Sequence, residues 1–148
     1  MVLGRNNQQH RTLKPMRKRR ILLVDDDGDI RSMVRKLLEV IAGGATIVVE
    51  CSTLIEALNA LAESVTSGNR FDLVITDFQI PAGKEGGDIA RAVKELSPSV
   101  PVIIMSGNME GVLKSEAPAD FILSKPFEFR AFANTVTKGF EIAQVSSS

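Results

Sequence analysis

Five short runs rich in Val, Ile and Leu punctuate the chain: Ile21–Val24, Thr46–Val49, Leu73–Thr76, Val102–Met105 and Phe121–Leu123. They are apolar at nearly every position, as strands are when both faces of a parallel sheet are covered. Between them, apolar residues fall at helical spacing. Ile30, Met33, Val34, Leu37, Leu38 and Ile41 form one stripe that ends at Gly43-Gly44, a C-terminal stop signal. Leu54, Ala57, Leu58, Leu61 and Val65 predict a second helix. Ile89, Ala92, Val93 and Leu96, halted by Pro98, predict a third, and Phe129, Phe132, Ala133, Val136 and Phe140, after Pro126, predict the last. The connection from Asn108 to Ala119 is short and broken by Gly and Pro, so it predicts the least regular helix.

A five-fold alternation of strand and helix predicts an α/β fold: a doubly wound five-stranded parallel sheet between two helix layers, a flavodoxin-like three-layer sandwich. Of the un-knotted, right-handed windings, strand order 2-1-3-4-5 is favoured. It sets the ends of strands 1 and 3 beside a crevice at the topological switch point, where ligands bind in such sheets. Residues 1–19 are polar, basic, aperiodic and interrupted by Pro15, so they are expected to be a disordered extension. Residues 20–144 are expected to form the domain, and residues 145–148 a frayed tail.

Composition narrows the function. With 148 residues, 44% apolar and 24% charged, one ordinary domain is expected. Aromatics make up 5%, with no Trp and no Tyr, leaving little material for a base-stacking surface. One cysteine, Cys51, and one histidine, His10, exclude a disulfide framework and a Cys/His zinc cage. Cys51 reads as a small residue at a strand end, and His10 lies in the basic tail. No apolar run approaches the roughly 20 residues of a membrane span, and no apolar h-region follows the basic start. A cytoplasmic protein is expected. The formal net charge of zero conceals a segregation. Residues 1–20 hold seven Lys/Arg (Arg5, Arg11, Lys14, Arg17, Lys18, Arg19, Arg20) and no acid, leaving eleven bases against all eighteen acids in the remainder.

The switch-point strand ends are acidic. Asp25, Asp26 and Asp27 follow Ile21-Leu22-Leu23-Val24, and Asp77 follows Leu73-Val74-Ile75-Thr76. Two like charges about 4 Å apart repel by about 4 kcal/mol at an effective dielectric near 20, so such a cluster calls for a cation or for protonation. Few ligands converge and all are oxygen, which suits Mg²⁺, with Mn²⁺ as its substitute, better than caged Ca²⁺. The alternation Asp25, Asp27, Asp29 does not make a calcium loop, because Ile30 and Lys36 stand where that loop needs Gly and Glu. Ser106 and Lys125 close the fourth and fifth strands, placing a hydroxyl and an ammonium on the same crevice. The set complements a phosphoryl group: a carboxylate can accept it while cation, hydroxyl and ammonium neutralise its oxygens. An FMN site would share the strand order, but three aspartates after strand 1 would repel its phosphate. A dehalogenase-type phosphatase motif beginning at Asp25 is a weak match, because Asp29 replaces the expected Thr or Val.

From about Arg20 to Ala143 the chain resembles the receiver domain of two-component response regulators. The resemblance is carried by Ile21-Leu22-Leu23-Val24-Asp25-Asp26-Asp27 with Ile30-Arg31 beyond, Val74-Ile75-Thr76-Asp77-Phe78-Gln79-Ile80-Pro81, Val102-Ile103-Ile104-Met105-Ser106-Gly107 and Ser124-Lys125-Pro126-Phe127. It implies that Asp77 is the phosphoacceptor, receiving its phosphoryl group from a histidine kinase or histidine phosphotransfer protein. Mg²⁺ would be held by Asp26, by Asp25 largely through water, by Asp77 and by the backbone carbonyl of Gln79. Ser106 and Lys125 would hold the phosphoryl oxygens, and the bond before Pro126 would be cis. Gln79 and Asn108 occupy positions that tune phosphoryl lifetime. Such a protein is a signalling phosphoacceptor and not an enzyme beyond its own phosphorylation and dephosphorylation. It is expected to be a monomer or weak dimer that signals to a downstream protein target through a changed surface.

Three features depart from the family pattern. Ile122 stands where the family often has the aromatic switch residue, with Phe121 one step earlier. The segment Ala82-Gly83-Lys84-Glu85-Gly86-Gly87 is one residue longer than the common turn, and the fourth connection is short. The missing aromatic leaves a second reading open, an adaptor that uses the receiver fold to bind a partner without phosphorylation. The basic tail reads as a solubilising extension; nucleic acid or membrane is a partner only if that tail is functional.

Overall fold

The computed structural model describes residues 18–80 and 85–147. In chain order the elements are β1 (Arg19–Val24), α1 (Gly28–Ala42), β2 (Thr46–Cys51), α2 (Leu54–Ser67), β3 (Leu73–Asp77), α3 (Glu85–Leu96), β4 (Val102–Ser106), α4 (Met109–Ser115), β5 (Phe121–Ser124) and α5 (Phe129–Ser147). The strands form one parallel sheet in the order β2-β1-β3-β4-β5, as expected.

The alternation of side chains along each strand splits the core into two layers. Ile21 and Leu23 of β1 pack with Val34 and Leu38 of α1 and with Phe132, Val136 and Phe140 of α5. Leu22 and Val24 face the other way, against Ala57 and Leu61 of α2, Ile89 and Val93 of α3 and Val112 of α4. These residues are buried, each of the larger ones contributing about 1.5–3 kcal/mol. β1, β3 and β4 thus have both faces covered, which is why their sequences show no polar alternation.

The helix ends follow the local chemistry. Asp27 caps α1, its Oδ1 accepting the N–H groups of Asp29 (2.9 Å) and Ile30 (3.3 Å). The helix stops at Gly43, whose φ of 67° is left-handed and favours glycine. Thr53 caps α2 by accepting the Glu56 N–H at 3.2 Å, and Glu56 Oε1 accepts from the Ser52 hydroxyl at 2.7 Å, a variant of the capping box.

Several boundaries differ from expectation. β1 begins at Arg19, inside the span read as tail, because Arg19 and Arg20 pair with Thr46 and Ile47. β3, β4 and β5 each run one residue past the apolar run, since Asp77 pairs with Met105 and Ser106 with Ser124. A ladder uses backbone groups and continues beneath a polar side chain. α5 extends to Ser147, beyond the Val145 at which fraying was expected. Glu85, Gly86 and Gly87 belong to the first turn of α3. The rest of the segment expected to be one residue longer, Ala82-Gly83-Lys84, and residues 1–17 of the expected extension, with His10, lie outside the described residues.

Candidate functional site

The carboxyl ends of β1, β3, β4 and β5 converge on the acids. Past β1, the Asp25 N–H donates to Cys51 O at 3.1 Å, so the chain is still tied to β2 as it leaves the sheet. The Asp25 side chain is 1% exposed. Its Oδ1 accepts the Asp27 N–H at 2.9 Å, while Oδ2 has no hydrogen-bond partner and meets only a charge, Lys125 Nζ at 3.5 Å. Lys125 Nζ also lies 3.3 Å from Asp77 Oδ1. Burial pushes the Asp25 carboxyl above its ordinary value; the Asp27 N–H and Lys125 oppose this, and the charges of Asp77 and Asp26 add to it.

Asp25, Asp26 and Asp77 each present a carboxylate oxygen, all within 4.8 Å of one another. Three converging carboxylates, one with a buried oxygen that nothing hydrogen-bonds, fit a hard cation with room for water ligands. Of the other expected residues, Lys125 is in contact with these acids. Ser106 is buried, and its Oγ accepts the Asn108 N–H at 2.9 Å. Its carbonyl accepts the Lys125 N–H at 2.8 Å, linking the ends of β4 and β5 beside the lysine. The Lys125-Pro126 bond is cis, as expected. Asn108 caps α4, its Oδ1 accepting the Gly111 N–H at 2.9 Å. Gln79 is exposed on the link leaving β3. Ile122 packs in the layer shared by α2, α3 and α4, and Phe121 in the opposite layer. The neighbouring aromatic therefore cannot substitute at the switch position without reversing the strand's register.

Two supports escape a reading of the sequence. Arg31 Nη1 donates to the Asp25 carbonyl oxygen at 2.6 Å, while its Nε lies 3.3 Å from Glu50 Oε1. Glu50 Oε2 in turn meets Arg35 Nε at 3.2 Å. This chain from α1 to β2 fixes the backbone that presents Asp25. Glu50 carries no motif, and its only signal is a polar residue interrupting an apolar strand. The second support is Gly86. Its N–H donates to Phe78 O at 3.0 Å, bringing the first turn of α3 against the backbone that follows Asp77. Cys51 is buried at the end of β2, and burial pushes its thiol up to about 11, so it is not a reactive nucleophile.

A profile of the response regulator receiver domain matches residues 21–137. The chain belongs to the response regulator receiver domain family. It is similar to the response regulator receiver protein CpdR of Brucella abortus, at 31% identity over 123 residues, covering 81% of this chain and 95% of CpdR. It is also similar to the phosphate regulon transcriptional regulatory protein PhoB of Pseudomonas aeruginosa, at 35% identity over 116 residues. That match covers 74% of this chain and 46% of PhoB, so the chain spans about half of that protein. Among solved structures, a response regulator receiver domain protein from Clostridium thermocellum superposes with a TM-score of 0.72 at 27% identity, over 86% of this chain and 98% of that one. Receiver domains are signalling phosphoacceptors that work with histidine kinases and downstream effectors and bind Mg²⁺ at an acidic cluster; the cluster is present here. Among the described residues, no helix is long and apolar enough to cross a membrane.

Proposed function

We propose that this receiver domain is a Mg²⁺-dependent phosphorylation switch whose acceptor is Asp77. The observation that carries the reading is the placement of Lys125 Nζ 3.3 Å from Asp77 Oδ1, on an oxygen of the same acid that contributes to the three-carboxylate cluster. One acid thus faces both a fixed ammonium and a cation-binding group.

In the reaction, an Asp77 carboxylate oxygen attacks phosphorus, and the P–N bond to a phosphohistidine of a kinase or phosphotransfer protein breaks. The donor imidazole keeps the electron pair and is protonated. Asp25, Asp26, Asp77 and the Gln79 carbonyl would hold Mg²⁺ (or Mn²⁺), which when bound supplies neutralisation of charge on the phosphoryl oxygens. Lys125 contributes the second positive charge. The Ser106 Oγ accepts from Asn108 N–H, so its own proton is available to donate to a phosphoryl oxygen. A phosphoryl group of charge near −2 biases two conformations only through contacts that differ between them, and in this reading Ser106 and Lys125 make that difference. Gln79 and Asn108 flank the acceptor and hydroxyl positions and would set the phosphoryl lifetime.

Output is a changed surface read by a downstream protein target, in the cytoplasm where such kinases act. The residues 20–144 form the signalling domain in this reading, acting as a monomer or weak dimer. Ile122 is the position through which the change reaches the face of β5, by a shift of aliphatic packing in place of a ring rotation. The adaptor reading rests on that same substitution and predicts no phosphate uptake. Incubation with acetyl phosphate and Mg²⁺, followed by intact mass measurement, tests the proposal. One phosphoryl group should be added to the native chain and none to Asp77→Asn, and none should be added in excess EDTA. Equal labelling of Asp77→Asn would overturn it.

A further inference from the structure

The carboxyl ends of the strands carry the acids, and the amino ends carry the opposite charge. There, an open cavity of about 540 Å³ is lined by Lys18, Arg20, Ile47, Gly68, Asn69 and Arg70. Three of these six residues are cations and none is an acid. Their convergence follows from the register: Arg20 of β1 lies opposite Ile47 of β2, and the turn after α2 brings Gly68, Asn69 and Arg70 alongside. Arg20 is fixed as a wall, its Nε donating to Asn69 O at 3.2 Å and its guanidinium lying 5.2 Å from the centre of the Phe71 ring. Asp72 accepts the Arg20 backbone N–H at 2.8 Å. Among the described residues, neither Lys18 nor Arg70 has a carboxylate within 4.0 Å, and both are exposed. Two cations without a carboxylate partner among the described residues, beside one that is preorganised, make a site for an anion.

The geometry points to a groove for the phosphodiester backbone of a nucleic acid. In sequence, residues 1–20 carry Arg5, Arg11, Lys14 and Arg17 besides Lys18, Arg19 and Arg20, and no acid, a charge run suited to an extended polyanion and far more than one small phosphate needs. The lining is concave and has Ile47 as its one large apolar side chain, whereas a lipid surface is flat and is held by protruding apolar groups. With no Trp or Tyr in the chain, the groove takes phosphates and does not read bases. The acidic crevice lies at the other end of the sheet: β1, a strand of six residues, separates the groove from Asp25 by about 20 Å. A bound polyanion therefore leaves the acidic crevice open to a phosphodonor, and binding does not require Asp77 to be phosphorylated.

Fluorescence anisotropy of a labelled 20-base-pair duplex DNA with the full chain, titrated from 50 to 200 mM NaCl, tests the groove directly. Each phosphate neutralised adds about −0.9 to the slope of log affinity against log salt. The variant Lys18→Gln/Arg70→Gln should make the slope shallower by about 2 and weaken binding about 30-fold at 0.15 M salt, with an unchanged thermal midpoint because both side chains are exposed. Each single variant should remove about half of the slope change. Absence of DNA binding by the native chain would overturn the groove. So would a slope and affinity unchanged in the double variant while Arg17→Gln/Lys14→Gln abolishes binding, or capture by anionic phosphatidylserine vesicles with no capture by DNA. Because the probe and both variants leave Asp77 untouched, the result is independent of the phosphate-labelling experiment.

Discussion

Gly86 has no room for a side chain above Asp77: a Cβ there would overlap the Asp77 carbonyl oxygen and stand 2.6 Å from Phe78 Cα. The first turn of α3 rests directly on the backbone that presents the acceptor, and the obstruction is main chain that cannot swing aside. Gly86→Ala should therefore destabilise the fold by about 1–3 kcal/mol, the scale of overpacking. It should also slow labelling of Asp77. Gly87→Ala is the control, since its Cβ would meet the end of the flexible Arg91 side chain at 3.2 Å. Chemical denaturation of both variants checks the difference; equal losses would remove the role given to the close approach.

Asp25 makes stability depend on pH in a definite direction. Its carboxyl is raised above 3.8, chiefly by burial, so the folded state holds this proton more tightly than the unfolded state. The contribution of this group is fully present below the ordinary carboxylate value and is lost as pH rises through the raised one. In metal-free protein, Asp25→Asn should thus be more stable than the native chain at pH 7, by about 1–2 kcal/mol, the scale of one unsatisfied buried acceptor. The gain should shrink towards pH 3.5. Melting curves in EDTA across that range provide the check. Millimolar Mg²⁺ should stabilise the native chain more than the variant.

Lys125 sits between Asp77 and Asp25, at 3.3 and 3.5 Å, and its removal leaves like charges facing each other. Lys125→Met should lower metal-free stability at pH 7, while Asp25→Asn in the same chain should recover most of the loss. A double-mutant cycle measures this coupling, expected at about 0.5–3 kcal/mol for groups in one network. Additive effects would show that the lysine does not balance the buried acid.

Cys51 should be inert. With its thiol buried and pushed up to about 11, the native protein at pH 8 should react with a thiol-specific disulfide reagent only as fast as it opens, and at once in guanidinium. Rapid modification of the folded chain would contradict the packing at the end of β2.

The sheet order and the meeting of Asp25, Asp77 and Lys125 were legible in the sequence because both reside in local runs: Ile21-Leu22-Leu23-Val24 is apolar throughout since β1 is covered on both faces, and each of these three residues follows such a run. What the sequence does not display is backbone pairing beneath polar side chains. Arg19 reads as tail and Arg20 as the first residue of the domain, yet both belong to β1 and pair with Thr46 and Ile47, and the basic groove depends on that register. Nor does it display long-range contacts between unlike elements. Arg31 reaches the Asp25 carbonyl and Glu50 across a parallel pairing, and Gly86 of α3 meets Phe78 just past the end of β3. Neither residue's chemistry announces its partner. The short α4 was legible as a weak helix, because its Gly and Pro punctuation is local.

The acyl phosphate itself offers the most direct measurement. Borohydride reduces an aspartyl phosphate to homoserine, so treatment of the Mg²⁺- and acetyl phosphate-incubated protein, followed by peptide sequencing by mass spectrometry, marks the residue that carried the phosphoryl group. Homoserine at position 77, dependent on Mg²⁺ and absent without the phosphodonor, is the expected result. Homoserine at 25 or 26 with Asp77 intact would contradict the account.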